Sequence, residues 1–323
     1  MMPSLNSSIP SIEQVCQCIR PIIGANVTLS SLGGKTSGLV YATRGSHQDW
    51  VIKLEPQKRH SLAKIHGFLA RHPEIRAPRV HSCVDIGQTP WRIIVMEKCP
   101  GTPADQLFET AGQSERQSLI EALVEILCTL HQIRFEQFGL FNEEGKIFRA
   151  FGSRKEHLHA KHQQALARHR DRIQEDTRVA AIFSEAALAM SHLEGFAEQE
   201  PVLVHGDFKM ANVIVESLKP VRLWILDWEW SRAYEAAYDC CRILTDYHES
   251  EDLCRWFWLR FQQRTQINPR IVACYLTIEC FLHVDWALNE QRALTPQVMH
   301  FAKTFPNIKQ VHAWLRSLAP EVP

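Results

Sequence analysis

The hydrophobic positions of this chain fall into two regimes. Over the first hundred residues they come as short β-branched or aromatic runs bounded by turn residues: Val27-Thr-Leu-Ser-Ser, Gly38-Leu-Val-Tyr-Ala-Thr, Asp49-Trp-Val-Ile-Lys-Leu, Arg79-Val-His-Ser-Cys-Val and Trp91-Arg-Ile-Ile-Val-Met. Such runs predict five strands. Between the third and fourth, Leu62, Ile65 and Leu69 recur at helical spacing and predict a helix across residues 57–71. After Pro100-Gly101 the period changes. Ser114-Glu-Arg-Gln117 reads as a capping box, and Leu119, Leu123, Ile126, Leu127 and Leu130 behind it mark one helix face. Residues 154–175 are strongly polar and predict a solvated helix; residues 178–195 continue helical. Residues 202–226 revert to three short apolar segments, and aromatic-rich helical patterns run from 239 to the end. The pattern predicts an α+β chain in two parts. Residues 1–97 are mostly antiparallel sheet with one helix, and residues 98–323 are mostly α-helical.

Composition narrows the partners. The 323 residues suffice for two lobes with a buried core. Lys plus Arg and Asp plus Glu both number 36, so no net charge draws the chain to nucleic acid or anionic membrane. The opening segment has no basic n-region and no apolar h-region, and no apolar run approaches the ~18 residues of a membrane span. Ten Cys occur without a CxxC, several inside apolar runs, which predicts free buried thiols rather than a zinc framework. The expectation is a cytoplasmic monomer or homodimer with no nucleic-acid or membrane partner.

Two segments carry candidate chemistry. Leu29-Ser-Ser-Leu-Gly-Gly-Lys-Thr-Ser-Gly38 contains the tail of a P-loop, but Leu29 stands where the first Gly belongs, and a strand rather than a helix follows. It is either a tight hairpin or a glycine turn whose backbone N–H groups approach phosphate. The second segment is Val202-Leu-Val-His-Gly-Asp-Phe-Lys-Met-Ala-Asn-Val-Ile-Val215, followed by Trp224-Ile-Leu-Asp227. Phosphoryl transfer needs a proton acceptor for the attacking hydroxyl and oxygen ligands for magnesium. Asp207 suits the first role, and Asn212 and Asp227 the second. Their spacing matches a kinase catalytic loop followed by a hairpin and a metal-binding Asp. Lys209 would offset developing negative charge.

The segments His205-Gly-Asp-Phe-Lys-Met-Ala-Asn212 and Ile225-Leu-Asp-Trp-Glu229 resemble the aminoglycoside phosphotransferase/choline kinase family. Leu32-Gly-Gly-Lys-Thr-Ser37, Val51-Ile-Lys53, Val95-Met-Glu-Lys-Cys-Pro-Gly101, Thr129-Leu-His131, Phe138-Gly-Leu140 and Tyr238-Asp239 are similar to its other landmarks, in order. The resemblance implies a two-lobed protein-kinase-like fold that binds ATP and Mg²⁺ and phosphorylates a small-molecule hydroxyl. It implies that Gly33, Gly34, Thr36 and Ser37 lie over the phosphates, that Lys53 neutralises them, and that the backbone from Glu97 to Cys99 holds adenine. His205 shapes its loop, Glu229 assists the metal or stays at the surface, and Asp239 caps a helix. Residues 57–71 contain no acid to pair with Lys53, which leaves Glu55 and Glu74 as the nearest candidates. A nucleotide-binding pseudo-enzyme and a protein kinase are the alternatives, although no Asp-Phe-Gly or Ala-Pro-Glu supports the latter. His157, His159, His162 and His169 read as a solvated face. Asp285 and Glu290 are candidates to attract a cationic substrate, with Trp256, Trp258, Phe281 and Trp286 as stacking or core aromatics.

Overall fold

A computed structural model describes residues 9–24, 28–33, 40–44, 49–56, 62–290 and 294–318. Helix α1 (Ile12–Ile23) leads into β1 (Thr28–Gly33), β2 (Val40–Arg44), β3 (Trp50–Pro56), α2 (Leu62–Leu69), β4 (Val80–Asp85) and β5 (Trp91–Glu97). The five strands form one antiparallel sheet in the order β1-β2-β3-β5-β4. All five strands expected from the sequence are there. Helix α1 was not expected, yet it has a local cause: Ser11 Oγ accepts from Gln14 N–H, and Gln14 returns the bond to Ser11 N–H. Its Val15 and Ile19 pack with Ile52, Ile93 and Val95 on one side of the sheet.

The rest of the chain is mainly helical. It runs through β6 (Thr102–Pro103), α3 (Ala104–Thr110), α4 (Gln113–Leu130), β7 (Gly139–Phe141), β8 (Ile147–Ala150), α5 (Arg154–Arg168), α6 (Arg170–Glu175) and α7 (Thr177–Glu194). Then come β9 (Val202–Val204), β10 (Val213–Leu218), β11 (Val221–Ile225), β12 (Arg232–Tyr234), α8 (Cys240–Asp246), α9 (Glu251–Thr265), α10 (Pro269–Asn289), α11 (Pro296–Thr304) and α12 (Ile308–Leu318). Two small sheets, β11-β10-β6 and β8-β7-β12-β9, frame the segment between β9 and β12. A single large core links the second face of the N-terminal sheet, through Ile94 and Met96, to α4, α7, α9 and α10. Gly101 permits the β6–β10 contact: its φ is +122°, and a Cβ would come 2.2 Å from Val215 O.

Several local expectations fail for identifiable reasons. Helix α4 starts one residue before Ser114: Gly112 is the N-cap, and its N–H donates to the Glu115 carboxylate at 3.3 Å. Ser114 therefore lies inside the helix. The polar stretch 154–175 is two helices broken at His169, and its polarity does not mean solvation. His162 is buried against Phe183 O, His157 stacks on Phe151, and His169 meets Asp285 at 3.0 Å. Only His159, beside Glu194, keeps the solvated character. Among the described residues no group of three or more His, Cys, Asp or Glu is placed to hold a metal. Contrary to the apolar-run reading, α10 is long and apolar enough to cross a membrane. It is instead packed against α7, α8 and α12, and thirteen of its side chains are buried. The ten cysteines are all free; five are buried, and Cys83 is exposed.

Arg154 explains the start of α5. Its guanidinium donates to Glu235 at 2.7 Å and to the carbonyls of Leu193 and Phe196, also at 2.7 Å. Glu235 also accepts from Tyr275 Oη and Gln199 N–H. Both charged side chains are buried. Arg154→Met strands the Glu235 charge and should destabilise the fold by about 3–5 kcal/mol, read as a lowered urea midpoint with an unchanged slope.

Candidate active site

The site grows from the end of β9. Its three buried apolar residues run into His205-Gly206-Asp207, a bend held by side chains from elsewhere. Gly206 adopts φ +80°, and a Cβ there would sit 2.3 Å from Trp230 O, so the turn requires glycine. His205 is fully buried; Nε2–H donates to Leu226 O at 2.7 Å, and Nδ1 accepts from Asp207 N–H at 3.3 Å. It shapes the loop, as its position in the sequence implies. Asp239 does not cap its helix. Its carboxylate accepts from His205 N–H at 2.9 Å and Gly206 N–H at 2.8 Å and lies 3.3 Å from His131 Nε2.

Asp207 is held on both oxygens. Arg242 Nε donates to Oδ1 at 3.0 Å. Lys209 Nζ at 2.9 Å and Asn212 Nδ2 at 3.0 Å reach Oδ2. Burial works against the charged form, but Lys209 and then Arg242 outweigh it, and the pKa stays below the ordinary carboxylate value. Asn212 also donates Nδ2 to Asp207 O at 2.9 Å, which commits its nitrogen and leaves Oδ1 as the free acceptor.

Asp227 follows β11 in the left-handed region, with φ 59°. Its Oδ1 meets Lys53 Nζ at 2.5 Å, and Glu229 Oε2 lies 3.3 Å from the same nitrogen. These two acids are the carboxylates on Lys53. Glu55 and Glu74 do not take that place: Glu55 lies 3.8 Å from Arg92, and Glu74 pairs with His72. The Glu229 side chain is only 6% exposed, which rules out a surface role. Burial lowers the Lys53 pKa, yet Asp227 and Glu229 together raise it above its usual value. Helix α2 presents His66 instead of an acid; burial first, then Lys53, push its pKa down to about 4.

Among the nucleotide-loop residues, Gly33 ends β1, pairing with Val40 across a bulge. Gly34, Thr36 and Ser37 lie outside the described residues. Glu97 ends β5, with its carboxylate accepting from Arg79 N–H at 2.8 Å. Cys99 stands two residues beyond the strand, its thiol pKa pushed up to about 12 by burial and then by Glu97.

The sequence reading missed Arg242. It stands one helical turn after Asp239, a spacing that puts both on one face of α8. Besides Asp207, its guanidinium reaches Asp246 at 3.0 Å, His283 Nδ1 at 3.2 Å and Glu279 at 3.6 Å. Burial raises the pKa of both Asp246 and Glu279. His283 passes the contact on to Thr295 Oγ1 at 3.1 Å. These groups line a cleft of about 490 Å³ together with Asp227, Trp230 and Trp286. Asp285 does not reach this cleft as a free acid, because Arg168 and His169 hold it at 2.9 and 3.0 Å. Trp258 and Phe281 are core residues.

The fold and this loop define a kinase-type phosphotransferase. The chain belongs to the phosphotransferase enzyme family (APH), whose profile matches residues 28–270. Among solved structures it is similar to the aminoglycoside phosphotransferase APH(4)-Ia, at 16% identity and TM-score 0.67 over 95% of this chain and 99% of that one. A thermostable mutant of that enzyme, crystallised with AMP-PNP and hygromycin B, gives 16% identity and TM-score 0.66 over 95% and 100%. A choline/ethanolamine kinase family protein from Mesorhizobium loti gives 15% identity and TM-score 0.60 over 94% and 99%. No curated protein matches the sequence.

The buried histidines make stability depend on pH. Burial, and then Arg242, push the His283 pKa down to about 4, as burial does for His66. A histidine whose folded pKa lies below its ordinary 6.5 takes up its proton first in the unfolded chain. Stability therefore falls as pH drops from about 6.5 toward 4. Urea midpoints measured across that window should decline, and His283→Gln should flatten the slope.

Proposed function

We propose that this protein transfers the γ-phosphate of ATP, with Mg²⁺, to a hydroxyl of a small molecule. The observation that carries this reading is that three separate segments bring their chemistry to one cleft: Asp207, bonded to Asn212 of its own loop, and Asp227, paired with Lys53 from the N-terminal sheet, both line it. Asp207 takes or orients the acceptor's hydroxyl proton. Its depressed pKa keeps it ionised near neutral pH, so it is an acceptor from the start. Lys209, bonded to the same carboxylate, faces the region where negative charge develops.

The residues present suit a magnesium ion. Asn212 Oδ1 and the Asp227 carboxylate are hard oxygen donors, and the ammonium already drawn to Asp227 shows that a cation is stabilised there. Bound magnesium would supply charge neutralisation on the phosphates. Lys53, held by Asp227 and Glu229, would meet the nucleotide phosphates. Cys99 N–H donates to no group among the described residues, which leaves it available to an adenine edge. Gly33, with Gly34, Thr36 and Ser37 beyond it, would cover the phosphates. The relatives crystallised with AMP-PNP and ADP support a nucleotide here.

The absence of an acid on α2 motivated the pseudo-enzyme reading. The double carboxylate on Lys53 answers that motive, because the lysine is anchored without a helix acid.

Transfer of labelled γ-phosphate from ATP, with Mg²⁺, to pooled hydroxyl compounds tests the proposal. Asp207→Asn should lower the rate by roughly 10²–10⁴-fold with nucleotide binding retained. Asp207→Asn at wild-type rate, with Lys35→Ala inactive, would instead make this a P-loop enzyme. Bound nucleotide without transfer to any acceptor would favour the pseudo-enzyme.

A further inference from the structure

The packing of the helical part leaves a second cavity apart from the catalytic cleft. Helix α10 packs against α7, α11 and α12, and among these helices lies a space of about 590 Å³. Helices α10 and α11 reach both spaces, but with different turns. On α10, Leu282 and Trp286 line the cleft, whereas Thr277 and Cys280 line the second cavity. Among the described residues none lines both.

The walls of the second cavity are mostly apolar, with Ile182 from α7, Met299, Phe301 and Phe305 from α11 and its end, and Val311 from α12. Such a surface favours a hydrocarbon guest over water. Thr277 adds no free donor, because its hydroxyl donates to Ala273 O at 3.0 Å within α10.

Glu185 breaks the apolar pattern. It stands on α7 one turn after Ile182 and lines the same cavity; its Oε2 is shielded from solvent and has no hydrogen-bond partner. Among the described residues no ion pair or hydrogen bond reaches this carboxylate. The cations that line the cavity are engaged or solvated. Arg178 donates Nε and Nη2 to Asp176 at 3.1 and 3.0 Å. His300 Nδ1 lies 3.3 Å from Glu249, and Lys303 is exposed to water. A carboxylate partly shut off from water beside an apolar wall is stabilised by a cation that brings little polar surface of its own. A metal ion does not meet that need, because the walls offer no set of carboxylate, His or Cys ligands to share it. An ammonium on a hydrocarbon body does: its charge answers Glu185, and its body fills the apolar space.

We propose that the cavity among α7, α10, α11 and α12 is a second ligand site, which takes an apolar ammonium ion with its charge on Glu185 and its hydrocarbon body against Ile182, Phe301, Phe305 and Val311. This site does not rest on the phosphotransferase reading.

Calorimetric titration of the full chain tests it with four probes: octylammonium, neutral octanamide, anionic octanoate and methylammonium. None has a hydroxyl to present to Asp207. Octylammonium should bind about tenfold more tightly than each of the other three. Glu185→Gln should weaken it about tenfold, to the level of the amide. Ala181→Phe, a change at an exposed residue of the cavity wall, should weaken octylammonium and octanamide alike by filling the space. Urea midpoints near that of the unsubstituted chain show that both variants fold. Asp207→Asn, in the cleft, should leave octylammonium affinity unchanged. Octanamide, octanoate or methylammonium binding as tightly as octylammonium would overturn the proposal. So would octylammonium binding that ignores Glu185→Gln or is lost with Asp207→Asn, or no binding at millimolar concentration.

Discussion

The Asp239 carboxylate is the constraint on which the rest of the site depends. It is buried, and it faces two backbone N–H groups of the bend that carries Asp207. Those N–H groups point away from any strand partner, so a buried acceptor must satisfy them or the bend opens. Once the bend is fixed, His205 is aimed at Leu226 O, and the residue before Asp227 is tied to the loop. Leu226 N–H donates in turn to Asn212 O at 2.8 Å. One carboxylate on α8 thereby sets the relation of Asp207, Asn212 and Asp227. The packing of α8 against α10 holds that carboxylate in place from behind.

The second constraint joins the sheet to this loop. Lys53 projects from β3, and its ammonium is clasped by Asp227 and Glu229 from the segment after β11. A lysine buried on this scale needs charge nearby to stay ionised. In kinases one helix acid serves that end; here the adjoining helix brings His66, kept neutral by burial. A neutral imidazole does not repel the ammonium, so the helix can pack close without disturbing the pair. Glu229 takes over as the second carboxylate, and its burial, unexpected for an acid beside a tryptophan-rich turn, follows from that role.

What could be read in the sequence was whatever local spacing or a chemical motif encodes. The five strands followed from alternation and turn residues, and Asp207, Asn212 and Asp227 from their spacing in a loop. What escaped reading depends on contacts far apart in the chain. Arg242 meets Asp207 across 35 residues and Glu279 across 37, distances at which no periodicity speaks. Residues 154–175 misled for the same reason: Arg154 and His162 look like solvent-facing polar residues until Glu235 and Phe183 O are brought to them. Asp239 sat at a helix start, where a cap is the usual reading, yet its partners lie 33 and 34 residues earlier. Local signals passed over include the boxes Ser11–Gln14 at the head of α1 and Ser153–Glu156 at the head of α5.

The acids lining the cleft stand in two electrostatic settings. Around Lys53, Asp227 and Glu229 outnumber the single ammonium. Around Arg242, one guanidinium sits among three acids, and burial weakens the charge of two of them. An Arg placed there is a poor choice for drawing in ammonium groups and a good one for holding Asp207 while masking its neighbours.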